Sequence, residues 1–134
     1  MRLGARSWEE YLGGLPGVLR STIKRKAGKL DCRILDHFDE QAWAQYVAIY
    51  KESWKPEEGS IEFLRQFAES EGAAGNLRLG VAYSEGEPVA AQVWTIEGGT
   101  AFIHKLAYRN SAKALSPGTV LSAAMFRRAI DTDA

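Results

Sequence analysis

One cysteine in 134 residues, Cys32, leaves no partner for an internal disulfide. With only two histidines beside it, no metal-ligand cluster forms at recognised spacing, and no metal is expected. No apolar run approaches a membrane span, and MRLGARSWEE carries no apolar h-region of a signal peptide. The expectation is a cytoplasmic protein with no membrane partner. Repeats, linkers and low-complexity segments are missing too, so residues 1–134 read as one domain with room for a hydrophobic core. A hydrophobic content of 46% and a charged content of 25% are ordinary for such a chain.

Net charge is zero, yet acid is missing from two stretches. Residues 11–30 carry Arg20, Lys24, Arg25, Lys26 and Lys29 alone, and residues 98–130 carry Lys105, Arg109, Lys113, Arg127 and Arg128 alone. Residues 31–75 hold ten acids against four bases. Such segregation suits a basic site for an anionic partner, and it also suits solvated helix faces. Aromatics are not interleaved with the bases, which argues against nucleic acid.

Periodicity orders the rest. Ser7-Trp8-Glu9-Glu10 forms a capping box for a short helix that Gly13-Gly14 stops. Pro16-Gly17 opens a basic helix with Val18, Leu19, Ile23 and Ala27 on one side, read as packed on the domain. Leu30–Asp36 is a short strand. Asp39 caps a helix with Trp43, Tyr46, Val47, Tyr50 and Trp54 on one face. That face reads as core, while its end, Trp54 and Lys55, passes into a loop that can line a substrate cleft. Ser60 caps a further helix with Ile61, Leu64, Phe67 and Ala68 inward, ended by Gly72; Gly75-Asn76 turns the chain. The period then changes to two. Leu77–Tyr83, Val89–Ile96 and Thr100–Tyr108, joined by short glycine-containing turns, make an antiparallel meander. Pro88 stands at a strand start, where a missing N–H does least harm.

The informative stretch is TAFIHKLAYRNSAKALSPGTVLSAAMFRRAI, from Thr100 to Ile130. Ser116 is a good N-cap and Pro117 suits the first helical position. Behind them the amides of Gly118, Thr119 and Val120 form the positive end of a helix dipole, a phosphate-binding arrangement. Val120, Leu121, Ala124, Met125 and Ile130 fall inward. Lys105, Arg109 and Lys113 lie close in sequence and suit several phosphates. Strand alternation puts His104 on one face with Phe102, Leu106 and Tyr108, and Lys105 on the other with Ala101, Ile103 and Ala107. Either can deprotonate an amine if its pKa is tuned, although a strand histidine is also a common structural residue.

The order strand, helix, helix, meander, then a helix whose N-terminus follows the last strand resembles the GNAT acetyltransferase fold. LRSTIKRKAGKL, LRLGVAYSEGEPVAAQVW and IHKLAYRNSAKALSPGTVLSAAMFRRAID are similar to CelD-type members, a GNAT subfamily linked to exopolysaccharide or cellulose biosynthesis and close to Fem-type aminoacyl transferases. The resemblance runs from about residue 16 to the C-terminus. It implies an α+β (α/β) fold, with residues 1–29 an N-terminal helical segment and 30–134 the GNAT core. It implies acetyl-CoA, or another acyl-CoA, as cofactor, with pantetheine pairing along Leu106, Ala107 and Tyr108 and pyrophosphate on the amides of Gly118 to Leu121. The activity it implies is N-acyl transfer to an amine of a small molecule or sugar; the alternative is an inactive GNAT-like binding module. The usual Gln/Arg-x-x-Gly-x-Gly/Ala loop is replaced by Ser116 to Gly118. No glutamate stands between Gly98 and Ile130 to act as the family's strand base, and His104 is the nearest substitute. In the family a fifth strand follows the last helix. The chain therefore reads as the front of a longer domain, with C-terminal strands missing and self-association expected to cover the apolar faces.

Overall fold

Ser7, Asp39 and Ser60 start three helices by the same device, a side-chain oxygen accepting from an amide three residues on. The bonds run from Glu10 N to Ser7 Oγ (3.1 Å), from Ala42 N to Asp39 Oδ2 (2.9 Å) and from Phe63 N to Ser60 Oγ (3.2 Å). The computed structural model describes residues 7–52, 60–109, 112 and 115–133. Its helices are α1 (Trp8–Gly13), α2 (Gly17–Lys26), α3 (Glu40–Glu52), α4 (Ile61–Ala73) and α5 (Pro117–Arg128). Its strands are β1 (Asp31–Leu35), β2 (Leu77–Ser84), β3 (Glu87–Glu97) and β4 (Thr100–Tyr108). They form one antiparallel sheet in the order β1-β2-β3-β4. The meander is as expected, and β1 joins it at the edge beside β2.

Each face of the sheet carries its own core. On one, Trp43, Tyr46, Ile49 and Tyr50 of α3 and Ala68 of α4 pack on Leu77, Leu79, Val81, Ala91, Val93 and Ala107. On the other, α1, α2 and α5 cover Ala82, Ala90, Trp94, Ile96 and Ala101. The basic helix α2 packs on the domain, its Ile23 in this second core. Ala123, with Val120, Leu121, Met125 and Ile130, is the buried alanine of α5, whereas the expected Ala124 is only half-buried. Burial pushes the Cys32 thiol up to about 11, with the charge of Asp31 adding to it. At neutral pH that side chain is an unreactive thiol.

Two glycines mark close approaches. Gly72 does not end α4, which runs on to Ala73; a Cβ there would stand 3.0 Å from the backbone nitrogen of Phe38. At Gly80 a Cβ would meet Met125 Sδ at 2.4 Å and Leu121 Cδ1 at 3.3 Å, so α5 lies directly on β2. Gly80→Ala displaces the end of Met125 and shifts Leu121 by a few tenths of an ångström. Gly80→Val overpacks the same spot and is expected to lower unfolding free energy by about 1–3 kcal/mol, read from the denaturant midpoint.

The feature that positions everything downstream is a β-bulge. Val93 pairs with Lys105 but Trp94 pairs with Ile103, leaving His104 as the extra residue of β4. One added residue reverses the alternation beyond it.

Candidate functional site at the β4 edge

The bulge overturns one expectation. His104 and Lys105 do not point to opposite faces: both line a cavity of about 350 Å³ on the α3/α4 side, with Tyr50, Ser60, Ile61, Phe63, Leu64 and Phe67. Nor does His104 share a face with Leu106 and Tyr108. Those two line a second cleft, of about 420 Å³, on the α5 side. Strict alternation cannot foresee an inserted residue, and that is the physical reason for the error. Among the described residues β4 has no neighbour beyond it, so its backbone is open along the edge between the two clefts.

His104 is held in place from two directions. Its Nε2 lies 2.8 Å from Thr95 Oγ1, and the ring of Phe67 meets it edge-on at 4.9 Å and 67°. Burial lowers its pKa below the usual histidine value, opposed by the negative charge of Glu71. The imidazole is therefore neutral at pH 7. When Nε2–H donates to Thr95, the lone pair on Nδ1 is the one available to take a proton.

The α5-side cleft is mostly apolar, walled by Tyr11, Leu15, Leu19, Ile23 and Phe126 against Leu106 and Tyr108. It shares Tyr108, Gly118 and Thr119 with a smaller cleft of about 270 Å³ over the start of α5, lined also by Ser116 and Pro117. Ser116 is not the capping residue expected. Its backbone is left-handed (φ 49°, ψ 51°), and its side chain makes no capping bond. Its Oγ instead accepts from Lys26 Nζ of α2 at 3.4 Å. The amide of Val120 donates to the carbonyl of Ser116 (3.0 Å), and Leu121 lies deeper still with a fully buried side chain. The first-turn amides left for a ligand are those of Gly118 and Thr119. Arg109 is committed elsewhere: it pairs with Glu52, and its Nε donates to the carbonyl of Pro88 (2.8 Å). Trp54, Lys55 and Lys113 lie outside the described residues.

Sequence reasoning missed Gln92, which is 1% exposed. Its Nε2 donates to Ser122 Oγ (2.8 Å) and to the carbonyl of Gly118 (3.2 Å), while its Oε1 accepts from Trp94 Nε1 (2.8 Å). The residue ties β3 to the first turn of α5 and so fixes the Gly118–Thr119 peptide, and with it where the Thr119 amide points. A lone amide in the apolar run Val89–Ile96 was the available signal, since buried polar groups are there to be paired. Gln92→Leu leaves the indole N–H of Trp94 without its acceptor and is expected to lower stability by about 1–3 kcal/mol in a denaturant titration. Phe67 was read only as an inward helix residue and Phe63 was not singled out; their place in the cavity with His104 depends on tertiary packing. A cavity of about 780 Å³ lies at the far edge between β1 and α3, away from β4.

Residues 18–134 match the family model described as the acetyltransferase (GNAT) domain. No curated protein matches the chain. Among solved structures it resembles a functionally unknown conserved protein from Staphylococcus epidermidis, with a TM-score of 0.59 and 17% identity over 81% of this chain and 43% of that one. It also resembles an aminoglycoside acetyltransferase from an uncultured soil metagenomic sample, crystallised with trehalose (TM-score 0.60, 17% identity, 79% of this chain and 73% of that one). A third is the ribosomal-protein-alanine N-acetyltransferase of Brucella melitensis (TM-score 0.54, 12% identity, 78% and 74%). The chain thus spans less than half the length of the first and about three-quarters of the other two. At these identities the likeness is one of fold.

Proposed function

This chain belongs to the acetyltransferase (GNAT) domain family, and from that premise we propose that it is a CelD-type, Fem-like N-acyltransferase. It takes the acyl group from acetyl-CoA, or another acyl-CoA, and gives it to the amine of a small molecule or sugar. One observation carries the reading: the first-turn amides of α5 and the open edge of β4 border the same cleft through Gly118, Thr119 and Tyr108, and His104, the bulge residue of that edge, faces the cavity on the other side of β4. Phosphate oxygens approach the Gly118 and Thr119 amides at the positive end of the α5 dipole. The pantetheine arm extends along Leu106 to Tyr108 as an added strand pairs with an edge.

In the transfer step the neutral amine nitrogen bonds to the thioester carbonyl carbon and the C–S bond breaks. The proton lost by nitrogen passes to His104 Nδ1 and ends on the departing thiolate. Backbone N–H groups of the β4 edge stabilise the oxyanion of the tetrahedral intermediate. Holding amine and thioester together is the larger part of the catalysis. The test is release of free CoA thiol from acetyl-CoA across a panel of primary amines. Thiol release that rises with one amine supports the reading; hydrolysis alone, unaffected by every amine, counts against it.

We extend the reading to self-association. Phe102 and Ile103 of β4 are exposed ahead of the stretch given to pantetheine, an apolar patch that a second copy can cover. Sedimentation equilibrium should find a dimer or larger, and a monomer at every concentration would overturn this.

A further inference from the structure

We propose that the cavity between α3, α4 and the β4 bulge binds a ring-bearing primary amine that also carries an oxyanion, a carboxylate or a phosphate. This rests on the acyl-transfer reading above and specifies its acceptor.

Three features of the cavity carry it. First, the walls are aromatic: Tyr50 from α3, with Phe63 and Phe67 from α4. Phe63 is 73% exposed in the first turn of α4, a large apolar ring left at the rim. An exposed ring beside a cavity is a stacking platform, and both sugar rings and aromatic rings present a flat apolar face to it.

Second, Lys105 lines this cavity and makes no ion pair among the described residues. The described residues lining the cavity include no carboxylate. Of the acids of α4, Glu69 pairs with Arg65 (2.7 Å), Glu71 accepts from Asn76 Nδ2 (3.2 Å) while acting on His104 through its charge, and Glu62 is not among the residues lining the cavity. A half-buried cation facing a small-molecule cavity is complemented by an anion, and the strongest such pairs are charge-assisted hydrogen bonds to carboxylate or phosphate. A polycation would set further positive charge against Lys105.

Third, the bulge makes His104 and Lys105 neighbours on one face. An oxyanion held by Lys105 and a ring resting on Phe63 and Phe67 leave the amine of the same molecule beside His104. Two contacts of different kinds then fix one orientation, as positioning requires.

Two ligand pairs differing only in the oxyanion separate the sources: glucosamine 6-phosphate against glucosamine, and phenylalanine against phenethylamine. Each is titrated into isotope-labelled protein, with and without CoA, and the amide signals of Phe63, Phe67, His104 and Lys105 are followed. At least one oxyanion-bearing member should bind about tenfold or more tightly than its partner. Lys105→Met should erase that difference and Lys105→Arg restore most of it, with the amide spectrum of each variant reporting that it is folded. The pair that shows the difference identifies phosphate or carboxylate. Equal or tighter binding of the partners that lack the oxyanion, tightest binding by a polycationic aminoglycoside, or no shift at these amides overturns the proposal. Failure of CoA to bind would instead defeat the acyl-transfer reading, while titration of the CoA-free protein still decides this one.

Discussion

Alanine at position 104 is expected to lower amine-dependent turnover by about 10²–10⁴-fold, the range for loss of a positioned general base, while acetyl-CoA binds as before. The side chain has the requirements of a base: fixed geometry from Thr95 and Phe67, and a proton affinity set below the ordinary histidine value by partial burial. A lowered pKa also fixes the pH dependence. The active form is neutral, so the rate rises with pH through the folded pKa, which lies below 6.5, and is flat above it. The same shift bears on stability. Below 6.5 the unfolded chain takes up this proton before the folded one does, so the histidine's contribution is full above that pH and is lost as pH falls. His104→Gln, whose amide reaches the position of the imidazole Nε2, keeps the bond to Thr95 but cannot take a proton at neutral pH. It should therefore be as slow as alanine, with its acid limb gone. A variant that retains wild-type rate and pH profile would remove His104 from the chemistry and leave it a packing residue under Phe67.

The second large effect is at Gly118. A Cβ there would stand 3.8 Å from Tyr108 Cδ1, so Gly118→Ala reaches ordinary contact across the cleft and is tolerated. Gly118→Val adds two methyl groups in the space over the first-turn amides. A phosphate oxygen can no longer come within hydrogen-bonding distance, and affinity for acetyl-CoA should fall at least tenfold, or about 1.4 kcal/mol. Calorimetry of the three proteins in parallel checks this, and the order glycine, alanine, valine is the diagnostic part. Equal affinity in all three would mean that the cofactor sits elsewhere.

The sequence was most legible where local chemistry decides structure. Ser7, Asp39 and Ser60 cap as expected because a cap is a contact within four residues. The meander was legible because period-two alternation and glycine turns are local as well, and the family resemblance placed the last helix after it. Ser116 looked like the other three caps and was not one. Its left-handed backbone turns the hydroxyl toward Lys26, a residue 90 positions earlier, and that choice belongs to packing of α2 on α5. His104 failed for a different reason. A single inserted residue in β4 rotates everything after it, and nothing in HKLAY announces the insertion. Arg109 was read as a phosphate ligand from its charge, yet Glu52 and the Pro88 carbonyl claim it. Charge in a sequence says what a residue can pair with, and only the fold says which partner arrives first.

The central claim is that the β4 edge and the start of α5 bound one acyl-CoA cleft. Titration of acetyl-CoA into isotope-labelled protein, followed at backbone amides, tests it most directly. The account predicts saturable shifts at Gly118 and Thr119 together with Leu106, Ala107 and Tyr108. No binding at millimolar acetyl-CoA, or shifts confined to the β1 edge at the far side of the sheet, would contradict it.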